Sequence, residues 1–377
     1  MAGSMTVQSV EGSCTIGLAN GSGGFTDTDV SSRVRSIRTD RGRTVGSIGL
    51  PNTGTATVTL GNADGGLTLA PDDTLGAIRP GSTITLGAVW SGLSSTVFTG
   101  IVDSINVHRN QANTDEVVTL SCSDAFRELA QHPALVSLSV GQGDTPGQRL
   151  DRILDAVTNP PPAAARDIGF GTFANLYDAT TFGSTPLAEL ETATIADAAL
   201  FWVSRSGVFT YRERGWRPTP ASTSPLVLSD QAGALRRITD VTVAWSAEHV
   251  LNRVSIQGAN GSIGQQDPTS VALLGLRALN ISGSLQSGST QMNATAAAIL
   301  AVSTRAIQVT PLTLVAGRSS TIDGVIGGLE LYDEVRVLRT LSGQAVDEVA
   351  RIERLMHSWT AGTSWTATLE VRTLPPQ

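Results

Sequence analysis

The chain has 377 residues with Lys+Arg 26 and Asp+Glu 33, a net charge of −7, and no lysine at all. That length exceeds one ordinary core of roughly 100–150 residues, while the acidic balance excludes a basic phosphate-binding groove and no apolar run approaches the ~18 residues of a membrane helix. Cys14 and Cys122 stand far apart and outside any Cys-x-x-Cys pattern, which excludes a disulfide framework and a zinc knuckle and leaves two buried thiols.

The first segment, Met1 to Met5, lacks a charged stretch followed by an apolar one, so no secretory signal is read and synthesis in a cytoplasm is expected. Thr/Val-rich runs of alternating polarity then predict strands at Thr55–Leu60, Ser82–Leu86, Val97–Val107 and Glu116–Cys122. Turn residues separate them at Asn62 to Gly66, Arg79 to Gly81 and Gln111 to Asp115. From about Ser123 the apolar period lengthens to 3.6. Thr145-Pro146-Gly147-Gln148 spells a capping box, predicting a helix over 146–157 with Leu150, Ile153, Leu154 and Val157 on its buried face. Thr185-Pro186 opens a second helix, and Ala199–Ser204 with Val208–Arg212 flank Arg205-Ser206-Gly207 as a hairpin. Beyond a Pro/Ser/Thr linker at Arg217–Pro225, strands are expected at Val241–Trp245, Arg253–Gln257, Val309–Leu314, Glu334–Leu338, Val346–Met356 and Trp365–Val371. One helix marked by Met292, Ala296, Ile299 and Leu300 interrupts them.

The end of the chain repeats an earlier part. An offset of 251 lays Pro80–Ser121 on Leu331–Arg372 without a gap, pairing Ile84 with Val335, Leu86 with Val337 and Ser91-Gly92 with Ser342-Gly343. Further on it pairs Phe98 with Val349, Ile101 with Ile352, Ile105 with Met356, Val118 with Leu369 and Leu120 with Val371. Side chains alternate with period two in strands, so matched apolar positions put the same faces inward in both copies. The expected fold is therefore mainly β with an α/β middle region and two similar antiparallel β-barrel domains related by internal duplication. The expected boundaries are 1–125, 126–235 and 236–377.

Motifs for chemistry are sparse. Leu50-Pro51-Asn52-Thr53-Gly54 has the letters of a sortase signal, but in the first sixth of the chain it is expected to be a turn before a strand. Sequons at Asn20, Asn260, Asn280 and Asn293 are read as polar turns and helix positions. Asp27, Asp29, Asp64, Asp72 and Asp73 fit no twelve-residue calcium loop, and His108, His132, His249 and His357 share no metal-binding spacing. Asp103 and Glu353 are the candidate carboxylate pair of a glycosidase, with outward-facing strand charge as the plainer expectation. Trp90, Trp202, Trp216, Trp359 and Trp365 are expected to pack in cores and interfaces. No catalytic, cofactor-binding or metal-binding residue is therefore assigned, and a non-enzymatic protein without a cofactor is expected.

Several runs, in order, carry a resemblance. They are Asp40-Arg41-Gly42-Arg43, Gly54 to Gly65, Pro80-Gly81, Phe98 to Asp103, Ser123 to Leu129, Tyr211 to Arg214, Asn252-Arg253-Val254, Tyr332-Asp333-Glu334-Val335 and Ile352 to Ser358. The first five look like the N-terminal half of minor tail proteins of long-tailed actinobacteriophages, and the later runs also fit. Such proteins resemble the baseplate hub family. The resemblance implies a homotrimer with two barrels per chain, synthesised in the cytoplasm of a bacterial host and placed at the tail tip of the virion, adapting a six-fold tail tube to a three-fold tip and forming part of the DNA ejection channel. Implied partners are the tail tube or distal tail protein, the tape-measure protein and other minor tail proteins, with no specific nucleic-acid binding and no membrane span. The alternative is a tail protein that binds or cleaves host-wall glycan. Arg33, Arg35, Arg38, Arg41 and Arg43 cluster in one stretch, and they are expected to face a neighbouring subunit or the tube, where carboxylates pair with them, rather than the channel.

Overall fold

The computed structural model describes residues 11–19, 25–44, 48–67, 78–90, 93–109, 116–135, 141–169, 179–213, 215–216, 226–229, 238, 240–241, 244–247, 250–286, 288–304, 307–316, 326–341 and 344–374. Seven strands come first: β1 (Glu11–Ala19), β2 (Phe25–Asp29), β3 (Val34–Gly42), β4 (Asn52–Gly61), β5 (Thr83–Trp90), β6 (Leu93–Arg109) and β7 (Glu116–Ser123). Their alternation does what it predicts. In β4, Ala56, Val58 and Leu60 point inward while the threonines between them stay more open, each buried Val or Leu being worth roughly 1.5–3 kcal/mol. The Leu50–Gly54 motif differs from expectation. Asn52, Thr53 and Gly54 already belong to β4, because the Gly54 amide donates to the Asp124 carboxylate (2.8 Å) and holds the segment extended.

The middle of the chain holds α1 (Phe126–Gln131), α2 (Pro146–Asp155), β8 (Arg166–Ile168), α3 (Pro186–Asp197), β9 (Leu200–Val203) and β10 (Phe209–Arg212). The capping box forms as spelled. The Thr145 hydroxyl accepts from the Gln148 amide (3.3 Å) and the Gln148 side chain accepts from the Thr145 amide (2.9 Å), satisfying two donors at the helix start. Gly207 takes φ +81° in the β9–β10 turn, a conformation glycine adopts without a Cβ penalty. The three strands pair in the order β8-β10-β9. They share an apolar core with the helices that includes Phe126, Leu150, Leu154, Leu190, Phe201 and Phe209.

Next in order come β11 (Leu226–Ser229), β12 (Asp240–Val241), β13 (Ala244–Ser246), β14 (Arg253–Gly258), β15 (Gly261–Gln266), α4 (Pro268–Leu274), β16 (Ala278–Ser284) and α5 (Ser289–Ser303). The chain ends with β17 (Ile307–Val315), β18 (Glu334–Leu341), β19 (Gln344–Thr360) and β20 (Thr366–Thr373). In the three-stranded sheet β15-β14-β16 with α5 on it, β14 and α5 fall where the pattern predicts them, whereas β15 and β16 are strands that alternation does not announce. β15 and β16 are solvated on most of their side chains, so the apolar rhythm is faint. Asn280 consequently lies in a strand rather than a turn.

The remaining strands form one 14-stranded sheet, in the order β12-β17-β20-β19-β3-β4-β7-β6-β5-β1-β2, with β18 and β11 continuing from β19 and β13 pairing with β17. The described strands do not close into two barrels. β3 uses both its edges, one for β4 and the other for the second half of β19, so at β3 the sheet continues instead of closing. A single apolar core runs through strands from both ends of the chain.

Within that sheet one pairing scheme occurs twice. β5, β6 and β7 form an antiparallel ladder flanked by β4 and then β3, while β18, β19 and β20 form another flanked by β17 and then by β12 and β13. Ile84 and Leu86 are buried, and so are Val335 and Val337, at the offset of 251. Beyond the hairpin the ungapped pairing slips. An extra residue, Val97, bulges from β6 and lowers the offset to 250, aligning Val102 with Ile352 and Ile105 with Leu355; a shorter β19–β20 connection then aligns Leu120 with Leu369 and Cys122 with Val371 at 249. Ile101 is accordingly half-buried whereas Ile352 is buried. Bulges insert residues without spoiling the apolar rhythm on either side, so alternation does not reveal the slip.

Candidate functional site: the β3–β19 junction

Asp103 and Glu353 occupy corresponding bulges, the first interrupting the β6–β7 register and the second the β19–β20 register. Their surroundings differ. Asp103 receives Ser123 Oγ (2.6 Å) and pairs with Arg127 (3.1 Å) near the surface. Glu353 is not an outward-facing charge: it is 0% exposed. Its Oε2 accepts from Arg43 Nε (2.6 Å) and its Oε1 from Arg351 Nη2 (2.9 Å). Burial by itself would raise the Glu353 carboxyl, but the charges of Arg43, Arg351 and Arg372 outweigh it and hold the group well below the usual carboxylate range.

Tyr332 sits in the same cluster, fully buried, with Arg43 over its ring at 5.4 Å and Arg351 at 5.6 Å. Two cations against one aromatic ring add attraction beyond packing. Its backbone is left-handed (φ +68°), which costs on the order of 1 kcal/mol outside glycine. The Tyr332 amide donates to the Ile352 carbonyl (2.8 Å) and the Arg43 amide to the Glu353 carbonyl (2.9 Å), so the backbone holds the cluster as well. Gly42, at φ +115°, lies where a Cβ would strike the backbone of Glu353 and Arg354; the two chains approach too closely there for a side chain.

A second, partly buried pair adjoins it. Arg41 reaches Glu330 (2.6 Å) and the Val203 carbonyl (2.8 Å), while Glu330 also accepts from the Arg205 amide (2.8 Å). The β9–β10 hairpin is thereby fastened to the same junction. Three of the runs quoted for the resemblance meet here: Asp40 to Arg43, Tyr332 to Val335, and Ile352 to Ser358. Composition and spacing gave no sign that Arg43, Tyr332, Arg351 and Glu353 form one cluster, because Arg43 joins the others only through the β3–β19 ladder and Tyr332 only through its backbone bond to Ile352.

The arginine stretch is resolved into separate roles. Arg41 and Arg43 are buried within their own chain, Arg33 pairs with Asp64 (2.5 Å), and Arg38 is exposed on β3. The expectation that the stretch faces a neighbouring subunit is therefore corrected for Arg41 and Arg43, whose carboxylates come from the same chain. Among the described residues no group of His, Cys, Asp and Glu is arranged to hold a metal. Asp29 bonds Ser31, Asp64 bonds Arg33, and Asp72 and Asp73 lie outside the described residues. His357 is buried and pushed down to about 3 by desolvation, so it is a neutral acceptor for Trp365 Nε1 (3.1 Å). His108 is exposed, His132 bonds Thr158, and His249 lies outside the described residues, as does Asn20. The thiols of Cys14 and Cys122 are buried and pushed up, Cys122 to about 12, which makes both inert.

The tryptophans pack as expected. Trp359 stacks with Trp365 at 6.1 Å and Trp202 meets Tyr332 edge-on at 5.0 Å. Beside the junction a cleft of about 440 Å³ is lined by Asp167, Trp202, Arg212, Trp216, Glu330 and Asp333 among others. Burial pushes Asp333 up to about 6. Glu330 is engaged by Arg41 and the Arg205 amide, so it ties the rim of the cleft to the junction.

No family model matches the chain, and no curated protein matches it either. Solved structures do. Its structural neighbours are tail and baseplate-like proteins, and what they share with it is the fold. A tail protein from Neisseria meningitidis matches with TM-score 0.61 at 12% identity, over 96% of this chain and 96% of its own. The 43 kDa tail protein of a Shewanella oneidensis prophage matches with TM-score 0.56 at 15% identity, over 95% and 97%. An Escherichia coli component of the type VI secretion system, described as similar to the bacteriophage T4 tail proteins gp27 and gp5, matches with TM-score 0.52 at 10% identity, over 92% and 74%.

Proposed function

We propose that the chain is a structural hub at the tip of a long phage tail, non-enzymatic and without a cofactor, and a component of the virion. The observation that carries this reading is the end-to-end fold match with a tail protein, in which each chain is covered over nearly its full length. The pairing scheme that occurs twice supports an internal duplication, two tube-like units in each chain. Three chains would then present six units to a six-fold tube and three-fold symmetry to the tip. The partners on this reading are two further copies, the tail tube or distal tail protein, the tape-measure protein and other minor tail proteins. A trimer carries about −21 charges by simple addition, and a ring without a basic wall lets a polyanion slide instead of retaining it. A buried and a partly buried arginine–carboxylate cluster where strands from the two ends of the chain meet fit a part that transmits load rather than turning over substrate.

The test is the mass of the purified full chain by light scattering, together with electron microscopy of assembled tails. A trimeric mass and three-fold density at the tip are expected; a monomer at all concentrations, or density along the tail shaft, would refute the hub reading. The alternative, host-wall glycan binding, is favoured by the Trp202–Trp216 cleft with its acidic rim. Sedimentation with cell walls that is lost on Trp216→Ala would support it.

A further inference from the structure

The cleft beside the junction is built by alternation. In the sheet β8-β10-β9, Phe201, Val203, Phe209 and Tyr211 turn into the core shared with the helices. Trp202, Thr210 and Asp167, opposite one another across the three strands, therefore lie on the other face together with Arg212. That face looks across a space of about 440 Å³ toward Glu330 and Asp333, in the segment before β18, a size in the ordinary range of ligand sites. Trp216 stands half-buried at its side, 6.4 Å from Trp202.

The charges around this space do not balance. Asp167 pairs with Arg212, whose guanidinium also lies over the Trp216 ring at 5.5 Å. Glu330 pairs with Arg41 and accepts from the Arg205 amide. Asp333 has no such partner: its Oδ2 accepts from the Glu330 amide (2.9 Å), and among the described residues no cation pairs with it and nothing bonds its Oδ1. The charged groups that act on it are Glu330, from its own segment, and Arg205, from the β9–β10 turn. Arg205 directs its guanidinium to the Gly327 and Leu329 carbonyls instead. Burial pushes the Asp333 carboxyl up to about 6, so at neutral pH the cleft holds a half-buried anion without a counter-ion. A charge kept at a cost to stability points to a binding site. Trp202 supplies a second observation. It lines the cleft and is 4% exposed, yet its indole Nε1 finds no acceptor among the described residues, and a buried donor left unsatisfied costs about 1–3 kcal/mol.

We propose that the cleft receives an arginine side chain from a protein partner, with the guanidinium on Asp333 beside Trp216 and a neighbouring backbone carbonyl as acceptor for Trp202. The chain shows this mode with its own residues, since Arg212 is held between Asp167 and Trp216 in the same cleft. A planar guanidinium stacks on an indole and bonds a carboxylate at once. A neutral sugar can stack on Trp216, but it leaves the Asp333 charge uncompensated, and this favours a basic peptide over a glycan as the occupant. The inference goes beyond the hub reading and does not depend on it.

Calorimetric titration of the full chain at neutral pH with a capped Gly-Arg-Gly tripeptide tests this, against the same peptide carrying citrulline, which keeps the shape and lacks the charge. The arginine peptide is expected to bind about tenfold more tightly or better. Asp333→Asn keeps an acceptor for the Glu330 amide and is expected to lose about tenfold or more in affinity with an unchanged far-UV spectrum. Asp347→Asn, which removes an exposed carboxylate of β19 paired with Arg336, is expected to leave binding unchanged. Equal binding of the arginine and citrulline peptides, binding of neither, or undiminished binding by Asp333→Asn would overturn the proposal. Putrescine bound as tightly as the peptide would overturn the assignment to a protein side chain and make the occupant a free diamine. A chitin oligomer bound in place of the peptide, and lost in Trp216→Ala, would overturn it in favour of the wall-glycan reading. None of these outcomes alters the trimeric mass and tip density by which the hub reading stands or falls.

Discussion

Removing the Glu353 carboxylate leaves a concentration of positive charge with no counter-ion. Glu353 is 0% exposed, and it accepts from Arg43 at 2.6 Å and Arg351 at 2.9 Å, with the charge of Arg372 also acting on it. The Arg43 side chain is 6% exposed and that of Arg351 12%, so solvent does little to screen them once the carboxylate is gone. Breaking a buried pair by deleting one partner costs about 3–5 kcal/mol, because the other charge stays buried. Glu353→Ala is expected to lose that amount. Arg43→Met/Glu353→Met removes the pair together and is expected to be milder than the single variant, since it strands one charge fewer. Urea titration at pH 7 and fixed protein concentration checks this through Trp359 and Trp365, which sit on β19 and just before β20. With m near 3 kcal/mol per molar, a value at the upper end of the ordinary range, the midpoint of Glu353→Ala falls by about 1 M or more. The pH dependence has a definite sign. Unfolded Glu353 titrates near 4.5 and folded Glu353 well below it, so its stabilisation is complete above about pH 4.5 and is lost as the pH falls through the folded value. The gap between wild type and Glu353→Gln is therefore widest at neutral pH and narrows below pH 4. A Glu353→Ala cost under 1 kcal/mol, or a double variant no more stable than the single one, would refute the account of the cluster as a mutually dependent charge group.

Asp333 behaves in the opposite sense: burial pushes it up to about 6 from 3.8, so the folded chain holds a proton that the unfolded chain has released, and this residue's contribution declines as pH rises from about 4 to 6. Asp333→Asn, which mimics the neutral acid, is expected to gain relative to wild type between pH 4.5 and pH 7, read from urea midpoints; a constant difference would count against it. His357 is neutral and locked to Trp365, and its ring resonances are expected to stay fixed between pH 5 and 8 by NMR, whereas a midpoint near 6.5 would show an exposed ring. Thr145→Ala removes one half of the capping box of α2 and is expected to cost about 1 kcal/mol, with amide exchange faster in the first turn of that helix; unchanged exchange there would refute the assignment.

Much of this architecture is written locally. Thr-Val alternation specifies β4, a Thr-Pro-Gly-Gln string specifies the start of α2, and matched apolar positions at an offset of 251 bring out β5–β6 and β18–β19 as counterparts, because each depends on residues within one strand, one turn or one hairpin. The tertiary structure alone decided the rest. β15 and β16 escape notice because their side chains are mostly solvated. The register slips at Val97 and beyond because a bulge adds a residue without breaking alternation. The bond of the Tyr332 amide to the Ile352 carbonyl sets Tyr332 beside Glu353, and only the pairing of β3 with β19 brings Arg43, some 310 residues away in sequence, to them. That pairing also joins strands from the two ends of the chain into one continuous sheet, where two separate barrels were expected. A strand's alternation records which face is buried, but not which strand occupies its edge, since edge pairing is made by backbone groups common to every residue except proline.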